Sequence, residues 1–201
     1  MLTKRFAIYN KLGAIEMSSF PVASKASRSI GAMFLFAFGG AWLALWAYAD
    51  FRSPWLPIAA IALATAMLFG YASRVYQRNK PALAALKGTP QQRRKSKWFN
   101  IINAAQWSAI FVLGNVLSRF GLSQYIIPMI IGVIGLHFLP LATLFSYRPH
   151  YLTGALLITW PLLYAPMHGP ESNLGPLGAG IVLWCSAAWA IWPKGARENG
   201  T

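Results

Sequence analysis

Apolar residues fall into six runs along the chain, at 30–48, 54–72, 101–116, 125–145, 151–165 and 177–192, each bounded by polar or charged positions. A helix needs about 20 mostly apolar residues to cross roughly 30 Å of hydrocarbon, and these runs approach that length. The pattern predicts an all-α integral membrane bundle of six transmembrane helices. The third and fifth runs are short and carry polar side chains, so four or five spans stand as the alternative. The connections DFRS, SRFGLS and SYRPH are very short, which makes successive helices antiparallel neighbours. The chain divides into an arm at 1–29, a transmembrane domain at 30–193 containing a loop at 73–99, and a tail at 194–201.

Composition agrees with that pattern, since 56% of the 201 residues are hydrophobic and 11% are charged. The net charge of +14 would fit a nucleic-acid partner only if the basic residues shared one exposed surface. They instead follow the spans: of the 18 Lys and Arg, all but Arg52 and Arg119 fall on one side of a six-span chain. By the positive-inside rule both termini are cytoplasmic, the charge is mainly a topology signal, and no nucleic acid is expected. The basic arm precedes a run of full spanning length with no small-x-small cleavage pattern after it, so it reads as a mature, partly helical segment. Arg93, Arg94, Lys95 and Lys97 lie just before the third span, placed to orient the chain and to meet anionic lipid headgroups.

Polar side chains inside the spans are the candidates for function. At about 100° per residue, Asn100, Asn103, Trp107, Gly114, Asn115 and Ser118 share a sector of about 120° on the third span. Such a face is costly in lipid and is expected to point into the bundle, either as interhelical glue or as the wall of a solute or water pathway. Gln106 lies off the stripe. On the fourth span Pro128, Gly132, Gly135 and Leu139 form a ridge with small residues at its centre, and His137 points almost opposite. Pro140 has no N–H for the carbonyl of Leu136, which leaves a polar spot beside the imidazole. The candidate pathway residues are therefore His137, Asn103, Trp107, Asn115 and Pro140. The structural alternative is a neutral His137 hydrogen-bonded to Asn103, Asn115 or a water.

Other chemistry is poorly served. His150 at the end of the fifth span and His168 in an external loop are not expected to join His137, so neither a three-histidine metal site nor a bis-histidine haem is expected. Cys185 stands alone, which excludes a disulfide framework or cysteine cluster. Asp50 is expected to pair with Arg52 or Arg119, and His168 with Glu171 reads as a solvated turn. No Walker, Rossmann or GxSxG motif occurs, and no acid/base groups converge, so no catalytic residue, metal or cofactor is assigned. A loose echo between ADFRSPWLPIAAIAL and FSYRPHYLTGALLI has the opposed orientations of an inverted repeat, but it rests on an aromatic, an Arg and a Pro.

The string GLHFLPLA, Gly135 to Ala142, resembles a GLHF-x-PLA segment in an uncharacterised group of small polytopic bacterial membrane proteins. That resemblance implies a multi-pass protein of the bacterial inner membrane and draws attention to His137 and Pro140, with no catalytic role attached. Two functions compete. The first is a small transporter or channel with a polar interior around His137. The second is a subunit for membrane-complex assembly or for lipid or pigment binding, pairing with itself or with another membrane protein. A membrane enzyme fits least. If His137 carries a proton for transport, His137→Ala abolishes pH-dependent uptake without unfolding the protein; normal uptake by that variant excludes the role.

Overall fold

The computed structural model describes residues 2–84 and 89–192, with side chains from residue 24 onward. Among these residues there are six α-helices and no strand: α1 Leu2–Asp50, α2 Trp55–Ala84, α3 Pro90–Arg119, α4 Ile126–Leu144, α5 Pro149–His168 and α6 Leu174–Ile191. A 3-10 turn, Ser123–Tyr125, leads into α4. Every apolar run thus becomes a helix. Five are long and apolar enough to cross a membrane, the exception being α5, whose Pro161, Pro166, Trp160 and two histidines dilute its hydropathy. The chain is a helical, multi-pass membrane protein. α1 continues unbroken across the position where arm and first span were expected to meet, and the tail at 194–201 lies outside the described residues.

Contact between helices runs in the order α2, α1, α6, α5, α4, α3, each antiparallel to the one beside it, with α2 resting on α1 and α3 on α4 and the 3-10 turn. The seams are made by small residues. In α1, Gly39 admits the indole of Trp184 from α6, whose Nε1–H donates to the Phe36 carbonyl at 3.0 Å. Gly180 answers from α6: a Cβ there would stand 2.6 Å from Leu43 Cγ and 2.9 Å from the Gly39 carbonyl oxygen. Between α4 and α5 the fit is reciprocal, because a Cβ on Gly135 would meet the Gly154 carbonyl at 2.9 Å and one on Gly154 the Gly135 carbonyl at 2.8 Å. Around these contacts Phe36, Ile131, Leu157 and Leu183 are fully buried. The ridge expected on α4 is therefore half used, since a Cβ on Gly132 would have nothing within 4 Å.

Two expectations are corrected by the packing. Most of the polar stripe of α3 stays outside the bundle: Asn100, Trp107, Asn115 and Ser118 are exposed, Asn103 and Gly114 are half-buried, and no residue of α3 is fully buried. The face that meets α4 is turned by about a quarter of a revolution and carries Phe99, Ile102 and Ile110, with Gln106 as its amide. Asp50 pairs with neither arginine, and its Oδ1 accepts from Asn173 Nδ2 at 3.3 Å, tying the end of α1 to the start of α6.

The antiparallel order gathers the charges. Lys25, Arg28, Arg74, Arg78, Lys80, Arg93, Arg94, Lys95, Lys97 and Arg148 lie at one end, and Asp50, Arg52, Arg119 and Glu171 at the other. The long middle displays Leu63, Met67, Phe111 and Leu162, all more than half exposed, as side chains that face hydrocarbon do.

The glycine seam makes a controlled prediction. Gly135→Ala or Gly154→Ala overpacks against backbone and costs about 1–3 kcal/mol in detergent unfolding, whereas Gly132→Ala, in open space, leaves stability unchanged or slightly higher. Equal effects at Gly132 and Gly135 would contradict the packing described.

Candidate functional site

The connection from α4 to α5 is built by its capping. α4 closes with the two hydrogen bonds of a Schellman turn, Tyr147 N–H to the Ala142 carbonyl at 3.0 Å and Ser146 N–H to the Thr143 carbonyl at 3.2 Å. Ser146 takes the left-handed conformation this turn demands, with φ of 51°. Pro149 then opens α5, where a missing N–H costs nothing, and His150 N–H donates to the Tyr147 carbonyl at 3.1 Å. Tyr147 and His150 are thereby fixed over the end of α4.

Their rings join a ladder that crosses the basic end. The Arg28 guanidinium of α1 sits 5.3 Å from the centroid of the Tyr147 ring. Tyr147 meets His150 edge-on at 4.8 Å, His150 leans on Phe138 at 5.3 Å, and Phe138 lies edge-on to His137 at 6.1 Å. Beyond His137 comes the Ile102 backbone of α3. Burial pushes the Tyr147 phenol above its ordinary value, and the Arg28 cation acts against that. A second contact closes the hairpin, the Thr143 and Tyr151 hydroxyls lying 2.8 Å apart. Nδ1 of His137 is buried with no hydrogen-bond partner, which leaves that nitrogen free to accept or donate.

The expected pathway residues do not converge. His137 and Asn103 are half-buried, whereas Trp107, Asn115 and Pro140 are exposed. Asn115 spends one N–H on the Phe111 carbonyl of its own helix, at 2.7 Å. It does not reach His137. Of the basic run, Arg93, Arg94 and Lys97 are exposed and Lys95 is half-buried. The separation expected between His137 and His150 is also corrected, because both imidazoles flank the Phe138 ring. The signal for this was Pro149: it starts α5 one residue before His150, and the side chain reaches back over the end of α4. His168 is elsewhere, lining a shallow recess with Gln124, Glu171 and Ser172 at the far end. Among the described residues no group of three His, Cys, Asp or Glu could hold a metal.

Compared with protein-family models, with curated proteins and with solved structures, the chain matches none.

The ladder predicts energetic coupling between α1 and the α4–α5 turn. In a double-mutant cycle on detergent unfolding, Arg28→Met and Tyr147→Leu should couple by about 0.5–1 kcal/mol, with Tyr147→Phe retaining most of it. Strict additivity would show that the stacked arrangement contributes nothing.

Proposed function

We propose that this protein is a subunit of a membrane assembly without catalysis of its own, and that a second copy of the chain docks on the outward polar face of α3. The observation that carries this reading is that Asn100, Ser108, Asn115 and Ser118 are exposed on a helix with no buried residue. Hydrocarbon offers such groups no hydrogen bonds, and amides or hydroxyls facing other protein act as glue between helices. A carboxamide is both donor and acceptor, so a face rich in Asn and Ser is complementary to itself across a two-fold axis, and two-fold pairing is the commonest form of self-assembly. Asn115 keeps its second N–H and its oxygen for that purpose.

In the same reading the basic end lies in the cytoplasm, as the positive-inside rule requires, with Arg93, Arg94, Lys95 and Lys97 against anionic headgroups. The GLHFLPLA segment supports placement in a bacterial inner membrane. The second reading is a small transporter or channel using His137, and one observation favours it: the unpartnered Nδ1 of that buried ring. The recesses at the far-end loop and between α1 and α2 are lined by other residues.

Cysteine cross-linking in native membranes tests the docking face. With Cys185→Ser as background, Asn115→Cys and Trp107→Cys should give a disulfide-linked dimer on mild oxidation, whereas Leu63→Cys on the lipid-facing side of α2 should not. Monomer alone at all three positions, or equal cross-linking at Leu63, rejects pairing through α3.

A further inference from the structure

Along the seam between α1 and α2, Ala72 is fully buried and Gly40 seats Thr65. At the basic end, where Ala26 and Ser29 of α1 are still fully buried, a recess of about 240 Å³ borders both helices. Its walls are Lys25 from α1 and Tyr71, Arg74, Val75, Arg78 and Asn79 from α2. The α2 residues follow steps of three and four, which places them on one helical face and turns that face toward Lys25.

Three cations therefore border one small cavity. Like charges four residues apart on a helix repel, and Arg74 and Arg78 have that spacing, with Lys25 opposite. The acids with described side chains, Asp50 and Glu171, are both at the far end, so no carboxylate among the described residues neutralises the group. An anion seated among the three would relieve that repulsion. Guanidinium groups offer paired N–H donors that match phosphate oxygens, and Lys adds a mobile point charge. Asn79 gives one N–H to the Val75 carbonyl at 2.6 Å and retains the other, while the Tyr71 hydroxyl supplies a neutral donor.

Depth identifies the source of the anion. From Trp55 to Ser73, α2 carries no charge, and 19 residues at about 1.5 Å each traverse roughly 28 Å, close to the thickness of the hydrocarbon layer. Arg74 is the first charge past that boundary, and Lys25 and Arg28 stand at the matching boundary of α1. The cavity thus opens at the level of lipid phosphates, with the Tyr71 ring on its acyl-chain side.

We propose that this cavity is a binding site for the phosphate of an anionic glycerophospholipid, one headgroup held by Lys25, Arg74 and Arg78. The site is independent of the docking face on α3. It also differs from the run at Arg93 to Lys97: Lys25, Arg74 and Arg78 are exposed as well, but they border one recess shared by two helices, whereas that run lies on α3 alone.

The test uses the full chain in nanodiscs of phosphatidylcholine with a minor fraction of phosphatidylglycerol, followed by native mass spectrometry of the lipid that stays bound after release into detergent. Phosphatidylglycerol should be retained selectively by the unmodified protein. Arg74→Gln with Arg78→Gln should weaken retention by about tenfold or more, and Lys25→Gln by less. Arg93→Gln with Arg94→Gln removes the same charge and should leave the retained lipid unchanged. Equal losses in the two double variants, or no selectivity in the unmodified protein, would overturn the proposal, and the latter measurement needs no variant to fold. Inorganic phosphate separates the sources: the lipid should remain bound in its presence, and displacement by phosphate alone would make this a site for a soluble anion and refute the lipid assignment.

Discussion

The bundle depends on the approach of helix backbones where side chains vanish. Lipid tails are as apolar as leucine, so burying leucine against leucine gains little within a bilayer, and packing must come from contact area and from polar groups that bridge the interface. Gly135 against Gly154 and Gly39 against Gly180 supply the first, each carbonyl standing where a Cβ would otherwise be. Trp184 and Trp160 supply the second, their indole N–H groups reaching the carbonyls of Phe36 and Leu174 at 3.0 Å. Thr153 and Ser186 add a hydroxyl pair at 2.8 Å between α5 and α6. The cap at Ser146, the ring ladder and the position of His150 all follow from the register that Gly135 and Gly154 impose on α4 and α5.

The helices themselves were legible from the run lengths, because a segment that must satisfy its own backbone in hydrocarbon has little choice but to be helical. The run at 125–145 and the observed α4, Ile126–Leu144, differ by a residue at each end. Facing was much less legible. Periodicity shows that Asn100, Asn103, Asn115 and Ser118 share a side of α3, but the same periodicity serves a helix turned toward its own bundle and one turned toward another chain. What decided the matter was the seam with α4, filled by Ile102, Gln106 and Ile110, and a sequence in which both sides of α3 look equally able to pack does not announce that choice.

Depth misled in a similar way. Ranking His137 and His150 by their places along two helices set them apart, yet Phe138 lies between their rings because α5 begins at Pro149, hard against the end of α4. The basic residues show the opposite case. Their segregation to one end follows from counting spans, whereas the convergence of Lys25 with Arg74 and Arg78 depends on how α1 and α2 face each other and is visible only in three dimensions.

The order of contacts bears on how the chain is made. The α1–α2 and α4–α5 hairpins join neighbours in sequence and can pack as soon as they leave the ribosome. The α1 seam with α6 joins residues about 140 apart, from Gly39 to Gly180, and must wait for α6. Until then Gly39, Phe36 and Leu43 present a bare groove to the bilayer. The α1–α6 seam therefore closes only after α6 is inserted, and any factor that shields half-made membrane proteins would find on α1 a surface that stays open until then.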